Sequence, residues 1–195
     1  MNFNIKHFVF ISFLLFGSNL FPSDKISNEK YINVLSEVEN ILEENHFKKN
    51  VTISSNQIKE KFLNSIDSQK IVFTLSNFNE LSKQTNFNKE HQVEFAFEVF
   101  KKFKEKSINY FEIQKEAILN VTSENQLETQ HFVFKDREDE NRFISEDQLI
   151  EYQIKEAKSE LISILLIEKD LSKSKEKLLK RLVNREKSLN RISND

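Results

Sequence analysis

The sequence contains no cysteine, one glycine and one proline. Without cysteine there are no disulfide bonds, thiol nucleophiles or thiolate metal sites. Gly17 and Pro22 both lie near the start, so from residue 23 onward the chain has neither of the usual structure breakers. Phosphate-cradling loops, dinucleotide fingerprints and nucleophile elbows need glycine where the backbone approaches a ligand or takes positive φ. None can be written in that stretch. Helix ends there should fall to Asn or Asp, which tolerate the left-handed conformation better than other residues. A dominant charge is also missing. Twenty-nine Lys and Arg face 31 Asp and Glu, for a net charge of -2, which calls for neither nucleic acid nor an acidic substrate. The length of 195 residues suits one ordinary domain.

Long apolar runs are scarce too. The one that stands out, "FVFISFLLF", follows the short polar start "MNFNIKH" and precedes "GSNLFPS", the layout of a secretory signal. Its nine residues fall short of the roughly 20 that span a bilayer. Residues 1–23 are therefore expected to be a signal peptide, cut after Ser18 or Ser23, with residues 24–195 exported to the periplasm as a helical domain. Phe16 and Phe21 stand at the third position before these cuts and depart from the small-residue rule, so an uncleaved membrane anchor is the alternative.

What remains is rich in helical periodicity. Ile32, Leu35, Val38 and Leu42 draw one stripe over about residues 27–44. Ser54 and Gln57 form a capping box, with Ile53 and Ile58 at the positions of a hydrophobic staple, and the stripe Ile58, Phe62, Ile66 follows. A short helix carrying Phe78 and Leu81 is expected from near Ser76 to near Thr85. The strongest signal runs from about Lys89 to Asn120, with Val93, Ala96, Phe97, Phe100, Phe103, Ile108, Phe111 and Ile118 mostly on one face. Residues 120–144 lose the period and read as an ordered charged loop with a brief extended piece. Ser145 with Gln148, and Ile144 with Leu149, repeat the box and staple and open a helix bearing Tyr152, Ala157, Leu161 and Ile164. A polar joint at residues 168–172 leads to a last helix over about 173–191. The fold class is all-α, with about six helices in one compact domain after the signal segment.

No chemistry of catalysis emerges. His7, His46, His91 and His131 are scattered without metal-ligand spacing, and no serine in the exported part lies beside a glycine. The acidic residues between Asp136 and Asp147 lack the oxygen spacing and central glycine of a calcium loop, so they read as a solvated or salt-bridged loop around Arg137 and Arg142. No metal or other cofactor is expected. The last helix presents Lys173, Lys177, Lys180, Arg181 and Arg185, a face suited to an acidic protein partner; export argues against nucleic acid. The phenylalanines, 19 in all, read as core.

One connection is unexpectedly apolar: Ile71, Val72 and Phe73 follow the turn Asp67-Ser68-Gln69-Lys70, where an ordinary loop would be polar. In order, "SNQIKEKFLNSIDSQKIVFTLSNFNEL", "FAFEVFKKFKEKSINYFEIQKEAIL", "FVFKDREDENRF", "SEDQLIEYQIKEAKSELISILL" and "KEKLLKRLVNREKSLNRISND" resemble the N-terminal helical domain of tail-specific proteases, the exported C-terminal-processing peptidases of bacteria. The resemblance covers about residues 46–195. It implies an ordered turn built on Leu63, Asp67 and Phe73, with Phe73 a buried plug and Ser68 in place of the family's proline. In that family the domain precedes a PDZ module and a Ser-Lys protease domain, to which nothing here corresponds. The resemblance thus implies a non-catalytic scaffold of a serine protease, truncated, split or stand-alone, whose partners are the PDZ and protease portion or an adaptor. A freestanding periplasmic chaperone or adaptor, gripping clients between amphipathic helices, is the alternative.

Overall fold

A computed structural model describes residues 28–45, 54–83, 88–127, 133 and 136–192. Among them are six α-helices and no strand, in one compact helical domain. The helices are α1 (Asn28–Asn45), α2 (Ser55–Ile66), α3 (Leu75–Ser82), α4 (Lys89–Leu119), α5 (Glu146–Glu168) and α6 (Leu171–Ile192), with a 3-10 turn at Glu124–Leu127. The signal segment, Ile53 and most of the extended piece before Asp136 lie outside the described residues.

Local chemistry starts the helices where the sequence places them. Ser54 accepts from the Gln57 amide and Gln57 returns the bond to the Ser54 amide, closing the box at α2. Thr74 and Asn77 do the same at α3, a box the sequence reading did not pick out. At α5, Ser145 caps the Gln148 amide, but the Gln148 side chain reaches back to the Ile144 amide instead. The predicted staple there does not close, because Ile144 is 74% exposed. Asp67 and Asn120 do end α2 and α4, as expected of Asp and Asn, but not in the left-handed conformation: among the described residues positive φ is taken by Lys70 (φ 56°) and Lys169 (φ 52°). At Lys169 the backbone N–H caps the Leu165 carbonyl and ends α5, at a steric cost of about 1–2 kcal/mol that glycine would avoid. The joint to α6 is correspondingly shorter than predicted, only Lys169 and Asp170.

The long helix α4 is the spine, and its partners change along its length. Near its start Phe97 meets Tyr31 of α1 edge-on, with ring centroids 5.3 Å apart. Phe95 and Val99 join Leu63, Val72, Phe73 and Leu81 in one buried cluster beneath the α2–α3 hairpin. Further on, Ala117 and Ile118 join Ala157, Leu161 and Ile164 of α5 and Leu178 and Leu182 of α6 in a second. The α5 helix runs parallel to α4, as the Lys106–Glu146 and Tyr110–Glu156 contacts show, and α6 returns antiparallel to both. The connection from α4 to α5, residues 120–145, is long enough for the crossover that two parallel helices require.

Because three sets of partners surround α4, no single stripe describes it. Phe95 and Val99, off the predicted stripe, are buried, whereas Phe97, Phe100, Phe103, Ile108 and Phe111 are only half-buried. Most of the described phenylalanines therefore line seams instead of filling the core. On α2 the buried face is likewise shifted, to Lys59 and Leu63, leaving Phe62 and Ile66 half-buried and Ile58 at the surface. Lys59 lies inside with its ammonium on the Ser82 carbonyl, 3.0 Å away, closing the end of α3.

Candidate functional site

The apolar connection between α2 and α3 is an interior loop. Its backbone N–H groups need partners, since an unpaired buried amide costs about as much as a lost hydrogen bond. Asp67, the residue that ends α2, supplies them. Its Oδ1 accepts from the amides of Ile71 (3.0 Å) and Val72 (3.2 Å), and its Oδ2 from that of Phe73 (3.0 Å). Leu63 and Phe73 are fully buried on either side, and the Phe73 ring lies edge-on to Phe103 with centroids 6.1 Å apart. The sequence therefore puts apolar residues into this connection because it is packed against α4 and not against water.

The charged block of residues 136–145 crosses this turn as a strap. The buried Arg142 guanidinium pairs with Asp67 at 2.5 Å. It also donates to Asn64 Oδ1 (3.0 Å) and the Phe73 carbonyl (3.3 Å), and lies over the Phe78 ring, 4.7 Å from its centre. Burial raises the Asp67 carboxyl above the ordinary aspartate value, while Arg142 and then the Phe73 amide work in the opposite direction. Lys70, in its left-handed conformation, donates through Nζ to the carbonyls of Glu138 (2.5 Å) and Glu140 (2.6 Å). Gln69 bonds both the Asp136 carboxylate and the Arg137 amide. The Leu75 amide takes the Phe143 carbonyl, and Gln153 of α5 reaches the Ile71 carbonyl at 2.8 Å. Arg137 is buried with its guanidinium over Phe143 and Tyr152, 4.3 and 4.7 Å from their centres. The loop is thus salt-bridged inward through Arg142, with Arg137 laid on the aromatic rings, and Glu138 and Asp139 are exposed.

The structure brings Leu63, Asp67 and Phe73 together at this turn. The basic face of α6 looks different. Lys177 pairs with Glu168 (2.5 Å), Arg181 and Arg185 both reach Glu160 (3.6 and 3.0 Å), and Lys173 lies 3.9 Å from Asp170. Much of this positive charge is answered by α5, and the Lys177 ammonium holds the Glu168 carboxyl below its usual range. Lys180 is exposed with no ion-pair partner among the described residues.

Two further features escaped the sequence reading. Between α4 and α5, Glu156 Oε2 accepts from Tyr110 Oη (2.8 Å) and Gln114 Nε2 (3.2 Å), and Gln114 Nε2 also donates to Tyr110 Oη. Burial raises the Glu156 carboxyl, and burial with the adjacent carboxylate raises the Tyr110 hydroxyl. Polar residues at 110, 114 and 156 interrupt apolar stripes, the one signal that marked them. Second, a mainly apolar groove of about 470 Å³ lies between α4 and the end of α6, lined by Phe103, Ser107, Phe111, Asn184, Ser188 and Leu189 as well as Arg185.

Among the described residues no group of His, Asp or Glu has the arrangement of a metal site, and no helix is long and apolar enough to cross a membrane. No family model, no curated protein and no solved structure matches the chain.

Proposed function

We propose that the chain is a non-catalytic, exported helical interaction module of the kind found at the N-terminus of tail-specific serine proteases. The observation that carries this reading is the meeting of two distant sequence blocks. The Leu63-Asp67-Phe73 turn and the "DREDENRF" strap, both part of the resemblance, interlock through Asp67–Arg142 and the Lys70 contacts. A shared ordered joint is what a common fold would need, and chance likeness in two separate stretches gives no reason for it. By itself the module hydrolyses nothing. Its partners are the PDZ and protease portion of a tail-specific peptidase or an adaptor, met through exposed helix faces that include Lys180.

The reading is tested by titrating the purified chain with the PDZ and protease portion of a tail-specific peptidase, followed by calorimetry. Saturable binding that weakens on Lys180→Glu supports it; no heat at tens of micromolar concentration counts against it. The α4–α6 groove favours one second reading, a chaperone or adaptor that holds apolar client segments on Phe103, Phe111 and Leu189. Suppression of client aggregation that is lost in Phe111→Ser would single that reading out.

A further inference from the structure

The two apolar clusters have no residue in common. The α2–α3 hairpin contributes Leu63, Val72, Phe73 and Leu81 to one, with α4 adding Phe95 and Val99; the other belongs to the end of α4, the 3-10 turn, α5 and α6. The attachments that bring the hairpin to the α5 side are mainly polar and, apart from one bond from α5 itself, pass through the short segment of residues 136–145. Arg142 reaches Asn64, Asp67 and Phe73, and the Lys70 ammonium sits on the carbonyls of Glu138 and Glu140. The Leu75 amide adds a backbone bond to Phe143, and Gln153 a bond to Ile71. Lys70 holds its left-handed φ of 56° at this attachment, a conformation a non-glycine residue keeps where its surroundings over-determine it.

A unit whose apolar cluster is separate from the larger one, and whose polar attachments to it are few and localised, is the kind that opens ahead of global unfolding. We propose that residues 136–145 are a latch. Arg142 and Lys70 tie the α2–α3 hairpin to this strap, and once these ties open the hairpin detaches from α4 as a unit while the second half of α4 stays folded with α5 and α6. Detachment uncovers Phe95 and Val99, which the closed state buries completely. The device governs how much of the apolar face of α4 the molecule presents, and it stands independently of the protease-related reading above.

Amide hydrogen exchange of the full chain, read by mass spectrometry in native buffer, tests this without any substitution. Residues 55–82 should exchange through an opening at least tenfold more frequent than the one that exposes residues 149–165 and 174–190. Arg142→Lys keeps the charge but loses the planar, multiply donating guanidinium. It should speed exchange in 55–82 and 136–145 by a further tenfold or more, while α5 and the buried face of α6 stay within about twofold. If that variant does not fold, Lys70→Asn, which tolerates the left-handed conformation but lacks the ammonium, should give the same regional pattern. One common opening for all helices of the unsubstituted protein would overturn the latch. So would acceleration spread evenly over 55–192 in the variants, or no acceleration of the hairpin.

Discussion

Arg142 and Asp67, 75 positions apart in sequence, form an ion pair at 2.5 Å with both side chains almost wholly buried. The pair does more than cancel two charges. Asp67 also closes three backbone amides of the α2–α3 connection, and Arg142 also closes the Phe73 carbonyl and the Asn64 side chain. Removing either partner leaves the other buried, charged and short of hydrogen bonds. Each of Asp67→Ala and Arg142→Ala should therefore cost about 3–5 kcal/mol in urea unfolding. The double variant should cost less than the sum by about 1–3 kcal/mol. Strict additivity in this cycle would mean that the two side chains do not act together.

Phe73 is fully buried, so Phe73→Ala should cost about 3–5 kcal/mol. Phe111, half-buried at the groove, should cost clearly less on the same change. Equal losses at the two sites would contradict the assignment of Phe73 as the plug of the hairpin cluster and Phe111 as a groove wall.

Glu156 carries a pH dependence whose sign can be worked out. Burial raises its folded-state value, so its contribution to stability is fully present below the ordinary glutamate range and is lost as pH rises through the raised value. The groups around it are Tyr110 on α4, Glu160 on α5, Arg185 on α6 and Arg137 in the strap. Glu156→Gln keeps an acceptor for Tyr110 and removes the charge. Its melting temperature, measured against the unsubstituted protein, should rise in relative terms as pH climbs from the ordinary glutamate range through the raised value of Glu156. A gap that shrinks over that window would mean that the carboxylate is favoured in the fold.

The two left-handed lysines should respond differently to glycine. At Lys169 the side chain is exposed and the backbone alone does the capping, so Lys169→Gly should gain up to about 1 kcal/mol, the steric relief less the entropy of a freer unfolded chain. At Lys70 the same relief is offset by the loss of two ammonium contacts to the strap, and Lys70→Gly should give no gain in thermal denaturation. Stabilisation of similar size at both would show that the Lys70 contacts contribute nothing.

Much of the helical order was legible because short-range chemistry writes it. Ser54 with Gln57, Ser145 ahead of Gln148, and Ile66 followed by the Asp67 turn each act within a few residues, and the helices begin or end there. What joins the helices was not legible. Arg142 looks like any charge in an acidic loop until Asp67 is brought beside it, and Gln153 looks like helix surface until the Ile71 carbonyl arrives. Phe95 was overlooked because a stripe assumes one neighbour, and α4 has three sets of them along its length. The basic side of α6 looked open for a partner, yet Glu160 and Glu168 of α5 take up three of its five named cations. Periodicity records which residues are apolar, not which helix will lie against them.

The central functional claim is that this chain is an interaction module without peptidase activity of its own. The most direct measurement is cleavage of an unstructured protein substrate by the purified chain, alone and with the PDZ and protease portion of a tail-specific peptidase, followed by gel and mass spectrometry. The account predicts no product from the chain alone, and a rate or product pattern in the mixture that differs from that of the protease portion by itself. Cleavage by the chain alone that persists through further purification would contradict it.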